Sequence, residues 1–320
     1  MGHRLLPGKP ELYHGKEKSR PYFEGWYFKQ ASDKGTVSVI VGVFRTENKS
    51  DETAFIQLLL ASGKSYYFEY PFEAFSAKTD TFEVKVGANK FSMERIELDI
   101  DQDGVRVKAE ISFSGIVPLK TNFVSPSIMG PFSYLPRMQC NHGILSLTHR
   151  ANGTMKIDRE QYLFEDAHGY IEKDWGEAFP SRWIWMQCND DKVSLMCSIA
   201  TIPYGAIFFT GLICVLLVDG RQYRFATYNG ARVVDIKRQK GELTVKLCRG
   251  KYSLHITAGS KVFGKLIAPT TTGMNRKIEE TVDATFHIVL TRRGKKVYCG
   301  SFGNGGLEML EPELLVEKNG

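Results

Sequence analysis

The residues best suited to chemistry lie near the middle of the chain, in Tyr170-Ile171-Glu172-Lys173-Asp174-Trp175-Gly176 and its continuation from Phe179 to Asp190. Three of the four tryptophans fall there, with acidic side chains beside them. In an extended chain alternate side chains share a face. That spacing places Glu172 with Asp174 on one side of a first strand, and Trp183, Trp185, Gln187 and Asn189 on one side of a second. Carboxyls beside a wall of indoles suit an apolar pocket with a proton source. They equally suit a tryptophan plug closing a β-barrel, with the acids held by backbone or basic groups.

The elements that must position these side chains read as strands. Runs of period two recur at Val37–Phe44, Phe82–Val86, Val105–Phe113, Ile144–Thr148, Val193–Ile199 and Leu243–Leu247. Turn pairs punctuate them: Asp103-Gly104, Asn152-Gly153, Asp219-Gly220, Lys240-Gly241 and Arg293-Gly294. Such spacing predicts an all-β barrel or sandwich. The apolar run Ala206–Val218 is too short to cross a bilayer as a helix and reads as a strand buried on both faces.

The pattern is written twice. Trp26-x-Phe28-x-Gln30-x-x-Asp33 returns as Trp183-x-Trp185-x-Gln187-x-x-Asp190, and Val84-Lys85-Val86 with Lys90-Phe91-Ser92-Met93 returns as Val245-Lys246-Leu247 with Lys251-Tyr252-Ser253-Leu254. A weaker echo sets Leu147-Thr148 and Gly153 beside Leu290-Thr291 and Gly294. A duplication follows: a tail over 1–19, a first β domain over 20–178 and a second over 179–320. Lys29 is costly to bury unpaired, which predicts that its face is the outside. Trp26, Phe28 and Gln30 then point inward, and by the repeat so do Trp183, Trp185 and Gln187. The proline-rich Ser125–Pro136 is no central strand. It reads as a loop or lid between sheets, and Pro203-Tyr204-Gly205 as a similar break.

Composition narrows the function. Basic residues are scattered around a net charge of +6, which argues against a nucleic-acid partner. The polar stretch Met1–Lys18 reads as neither signal peptide nor spanning helix, so a cytoplasmic protein with no transmembrane segment is expected. The dispersed cysteines have no CxxC pair and read as buried small hydrophobes, with no structural zinc. His142 and His149 fall on opposite faces of an extended strand and make a poor metal pair. Gly303-Asn304-Gly305-Gly306 lacks dinucleotide-loop spacing, and no GxSxG, HExxH or P-loop occurs.

Pro21-Tyr22-Phe23-Glu24-Gly25-Trp26-Tyr27-Phe28-Lys29, Cys140-x-His142-Gly143-x-x-Ser146, Tyr170-Ile171-Glu172-Lys173-x-Trp175-Gly176 and Phe179-Pro180-x-x-Trp183-x-Trp185-x-Gln187-Cys188-Asn189 together resemble the tocopherol cyclase-like family. Leu266-Ile267-Ala268-Pro269-Thr270 and Gly305-Gly306-Leu307-Glu308 resemble its closing blocks. Asn141 and Asp174 depart from the plant pattern. More distantly the chain is similar to carotenoid hydratase-type proteins with two lipocalin-like domains. The resemblance implies an all-β fold of two lipocalin-like (calycin-type) antiparallel barrels. It also implies a cofactor-independent isomerase that closes a prenylated quinol to a chromanol by protonating an alkene. On that reading the catalytic candidates are Glu172, Asp174, His142 and Glu24, an un-ionised carboxyl being the donor. Trp26, Tyr27, Trp175, Trp183 and Trp185 would face the cation, and Gln187 and Asn189 would hold a quinol hydroxyl. No cofactor and no metal is implied. The partner is a hydrophobic small molecule, prenylquinol or terpenoid, with peripheral membrane contact left open. Two alternatives stand beside it: a non-catalytic lipocalin-like binder of a hydrophobic ligand, and an isoprenoid hydratase.

Overall fold

Alternating apolar and polar side chains fold the chain into antiparallel strands in the computed structural model, which describes residues 9–17, 21–47, 52–136, 138–205, 207–312 and 315. The first sheet opens with β1 (Tyr22–Ser32), β2 (Gly35–Arg45), β3 (Glu52–Leu60) and β4 (Ser65–Pro71). Short strands follow, β5 (Phe75–Ala77), β6 (Glu83–Val86), β7 (Asn89–Ser92) and β8 (Arg95–Gln102), then the long β9 (Val105–Val117), β10 (Cys140–Ile157) and β11 (Glu160–Gly176). The second sheet takes β12 (Trp183–Asn189), β13 (Val193–Tyr204), β14 (Ile207–Val218), β15 (Arg221–Ala226) and β16 (Arg232–Gln239). It ends with β17 (Glu242–Arg249), β18 (Tyr252–Gly259), β19 (Gly264–Thr270), β20 (Gly273–Arg292) and β21 (Lys295–Leu310).

Strand order is β4-β3-β2-β1-β11-β10-β9-β8-β7-β6-β5 in one sheet and β15-β14-β13-β12-β21-β20-β18-β17-β16 in the other, with β19 added to β20. In both, the opening strand lies between the second strand and the last, which is the topology a duplication predicts. Each sheet curls around its own core. Phe68 of β4 shares one core with Val84 and Val86 of β6 in the first, where β3 comes beside β6, and β15 comes beside β17 in the second. These are the two lipocalin-like barrels. Burying each large apolar side chain inside them contributes roughly 1.5–3 kcal/mol. A third apolar cluster joins the barrels, with Tyr27, Leu59, Ile144 and Tyr170 from the first against Trp183, Trp185, Met196 and Val282 from the second.

That third cluster overturns the expected facing. Trp26 and Phe28 do point into the first barrel. In the second barrel, however, Ile184, Met186 and Cys188 point inward, and Trp183 and Trp185 point outward, at the other barrel. The sequence echo is therefore one residue out of register with the fold. A one-residue slip in a strand exchanges its faces, so Trp183 matches Tyr27 or Lys29 in facing rather than Trp26. Lys29 is likewise not on an open surface: it is fully buried between the barrels. Its Nζ donates to Asn304 O at 2.7 Å, and burial brings its pKa down to about 8.

The hairpin pairs Asp103-Gly104, Asp219-Gly220, Lys240-Gly241 and Arg293-Gly294 all adopt left-handed backbone, as two-residue turns between twisted strands require. Asn152-Gly153 instead lies within β10 at a register shift against β11, because Gly153 admits the bulge that lets so long a strand bend. Ile207 and Phe208 are exposed, so only the later part of the Ala206–Val218 run is buried; Ala206 lies outside the described residues. The described part of the N-terminal tail packs back on the first barrel: Leu12 and Tyr13 are buried, and Trp26 Nε1 donates to Glu11 O at 3.1 Å.

Candidate active site

Two rows of side chains confront each other between the barrels. In the first sheet Ile40, Tyr27, Glu172 and Ile144 are successive cross-strand partners on β2, β1, β11 and β10. In the second, Ser198, Trp185, Glu308 and Glu280 are partners on β13, β12, β21 and β20. The rows clasp reciprocally. Tyr27 Oη donates to Glu280 Oε1 at 2.8 Å, and Trp185 Nε1 donates to Glu172 Oε2 at 3.1 Å. The Tyr27 and Trp185 rings meet edge to face at 5.2 Å.

Beside this clasp lies a cavity of about 1290 Å³, counting its open mouth, walled by Phe55, Phe132, Phe179, Trp183, Ile202 and Phe209 among others. The Ser125–Pro136 segment, expected as a loop or lid between sheets, crosses to the second barrel, where Arg224 Nη1 donates to Ser125 Oγ and Tyr228 Oη to Ile128 O. It thereby brings Met129 and Phe132 to the cavity wall. The polar end is Glu172, Asp174, His142 and Glu308.

His142, opposite Asp174 on β10, sits between two acids. Its Nδ1 is 2.8 Å from Asp174 Oδ1 and its Nε2 is 3.3 Å from Glu172 Oε2. Burial alone would favour neutral imidazole, but Asp174 and Glu172 outweigh it and hold the His142 pKa well above the ordinary value. Glu172 also accepts from Tyr170 Oη at 2.6 Å. The His142 ring thus stands between the carboxyls of the expected Glu172–Asp174 pair. These three residues place ligand atoms within 4.8 Å of one another, the spacing of a metal site. The acids address opposite ring nitrogens, however, so the atoms do not converge on one point, and the set suits proton traffic better than metal.

Other expected site residues lie elsewhere. Glu24 is fully buried and paired with Lys173, and it accepts from Tyr22 Oη at 2.6 Å and His14 N at 2.9 Å. Burial would raise its pKa, but Lys173 and His14 bring it down to about 2; it is an anion at neutral pH, not a proton donor. Lys173 also donates to Leu12 O. Trp175 stacks on His14 at 4.5 Å beside this ion pair, on the face of β11 turned from the cavity. Trp26 is in the barrel core. Gln187 donates to Asn189 Oδ1 at 2.9 Å, and Asn189 donates to Gly169 O at 3.0 Å and Thr148 Oγ1 at 3.2 Å. Those amides bind protein in the seam rather than lining the cavity. Of the expected set, the cavity wall therefore gathers Glu172, Asp174, His142, Tyr27, Trp183 and Trp185.

Sequence reasoning missed Glu280, and it noted Glu308 only within a family block. Their signal is weak: period two along β20 and β21 puts them on the face of Val282 and Gly306, but their pairing depends on the register of two long bulged strands. Gly25 faces Asp174 across β1–β11 and lines the cavity. A Cβ there would meet nothing nearer than Val41 O at 3.7 Å. Gly25→Leu is expected to fill the polar end, weaken binding of an apolar fluorescent probe at least tenfold, and leave the melting temperature within a few degrees; unchanged probe binding would show that ligands do not use this end.

The family model described as tocopherol cyclase-like matches residues 116–309. Tocopherol cyclase, chloroplastic, of Zea mays is 27% identical over 117 residues, 34% of this chain and 25% of that protein. A related Oryza sativa subsp. japonica protein is 30% identical over 93 residues, 27% of this chain and 20% of that one. The chain thus spans a quarter or less of the curated relatives it matches. Among solved structures, CghA has a TM-score of 0.59 at 10% identity, covering 97% of this chain and 94% of that one. Kievitone hydratase from Nectria haematococca has a TM-score of 0.52 at 10% identity, with 93% of each chain covered. At such identities these structures share the fold. No helix among the described residues is long and apolar enough to cross a membrane. With the match spanning residues 116–309 of 320, the chain belongs to the tocopherol cyclase-like family.

Proposed function

We propose that this chain is an acid–base isomerase that closes a hydrophobic prenylated quinol onto its own side chain. The observation that carries the reading is an apolar cavity between the barrels with its acids and one histidine gathered at a single end. Small-molecule sites are mostly apolar with a few placed polar groups. A prenyl chain would lie against Phe55, Phe179, Ile202 and Phe209, with exposed Ile207 and Phe208 beside Phe209 giving a lipid-soluble substrate, free or at a membrane surface, an apolar approach.

Protonation of the alkene would give a tertiary cation, faced by Tyr27, Trp183 and Trp185. The phenolic oxygen then attacks, forming the C–O bond, and its proton passes to Glu172, with His142 and Asp174 behind it as the relay. The product is an isomer of the substrate, so no electrons change hands. The test is incubation of purified protein with prenylquinols and analysis by mass spectrometry. A new species of unchanged mass, formed over many turnovers, is expected. A product heavier by one water would mean hydration of the same cation, and substrate retained unaltered would mean a binder; either overturns the cyclase assignment.

A further inference from the structure

We infer that Glu280 and Glu308 form one proton-sharing carboxyl pair, and that Glu308 is the group that hands its proton to the alkene, with Glu280 and Tyr27 positioning it. This assignment rests on the cyclisation reading and names its acid.

The argument starts from register. Glu280 and Glu308 are direct cross-strand partners on β20 and β21, an arrangement that is destabilising when both are ionised. Glu280 is fully buried. Its Oε1 accepts from Tyr27, and its Oε2 has no hydrogen-bond donor among the described residues. Glu308 accepts from Trp183 Nε1 at 2.7 Å, and it stands directly opposite Glu280 in the β20–β21 register. Among the described residues no Lys, Arg or His side chain forms an ion pair with either carboxyl. The charged and titratable groups facing the pair are Tyr27 and Lys29 from β1 and Glu172 and Asp174 from β11. Lys29 directs its ammonium to Asn304 O instead.

A single proton between the carboxyls resolves all of this. It supplies the donor that Glu280 Oε2 lacks and removes one of two facing charges. Burial and the Glu308 charge hold Glu280 well above the ordinary carboxyl range, and burial lifts Glu308 to about 7. Glu308 lines the cavity and Glu280 does not, so delivery falls to Glu308. In the step, the Glu308 O–H bond breaks as the new C–H bond forms. The quinol proton goes to Glu172 on the opposite wall, and its later return to Glu308 resets the site.

Two measurements test this. Infrared difference spectra of the full-length protein should show a protonated-carboxyl carbonyl band at neutral pH, lost in Glu280→Gln and in Glu308→Gln. On prenylquinol, Glu308→Gln should lower kcat by about a hundredfold or more with little change in KM. Glu280→Gln should move the alkaline limb of the kcat profile to lower pH, because the last proton is no longer shared between two facing carboxylates. Absence of the band from the wild-type protein, or kcat of Glu308→Gln within tenfold of wild type, would overturn the assignment. Failure of wild-type protein to form product would instead strike the cyclisation reading, while the infrared band would still decide whether the pair shares a proton.

Discussion

Replacing Lys173 by methionine is expected to lower the free energy of unfolding by about 3–5 kcal/mol, because it strips the partner from a buried charge. Lys173 and Glu24 are both fully buried, and the Lys173 ammonium lies over the Trp26 and Trp175 rings at 4.6 and 4.9 Å. Methionine keeps most of the volume, so the loss is that of the ammonium, with its ion pair to Glu24 and its bonds to Leu12 O and His14 Nδ1. The sign with pH follows from Glu24. Its pKa is depressed from 4.5 to about 2, so its contribution is present above the unfolded value and is lost as pH falls through the folded one. The difference between wild type and Lys173→Met should therefore be greater at neutral pH than in acid, shrinking as pH falls from 4.5 toward 2. Urea unfolding at neutral and acid pH measures both. A neutral-pH difference below about 1 kcal/mol would mean that the pair holds nothing together, as exposed pairs commonly do not.

Glu172→Gln is expected to reduce turnover of a prenylquinol by about 10²–10⁴-fold, the usual range for removing a general base. An amide can still accept from Tyr170 and Trp185, so ligand binding and fold should survive. The independent readout is His142. Its pKa is held up by Asp174 and Glu172 against burial, and removing one acid should let it titrate at lower pH. A histidine with a raised folded pKa stabilises the fold below its unfolded pKa, and that stabilisation fades as pH rises through the folded value. In Glu172→Gln the fading should begin earlier. NMR titration of the imidazole reports it directly. An unmoved His142 titration would dissolve the proposed relay whatever happens to turnover.

Much of the fold was legible because its cues are local. Period-two runs, two-residue turns such as Asp219-Gly220 and an approximate repeat depend on neighbours in the chain, and they sufficed for an all-β barrel or sandwich written twice; the two lipocalin-like barrels came with the resemblance. The resemblance carried by Tyr170–Asn189 pointed to the right family, and that block with Cys140–Ser146 singled out Glu172, Asp174 and His142, which the fold brings to one cavity. The facing of the repeat was not legible. Both faces of β1 and β12 are buried, so no polar face marked the outside, and the indoles of Trp26 and Trp183 looked equivalent while opposing environments awaited them.

By itself, then, the sequence determined strand and turn, the two-barrel plan and the presence of acids beside aromatics, since each follows from side-chain alternation or from a contiguous block. Only the tertiary structure decided which neighbours each acid has. Glu24 meets Lys173 and His14, which reach it from β11 and the N-terminal segment. The pairing proposed for Glu280 and Glu308 arises because β20 and β21 align them where, among the described residues, neither forms an ion pair. A carboxyl's charge is set by what lies within a few ångströms in space, and here those neighbours come from the other barrel or from distant strands.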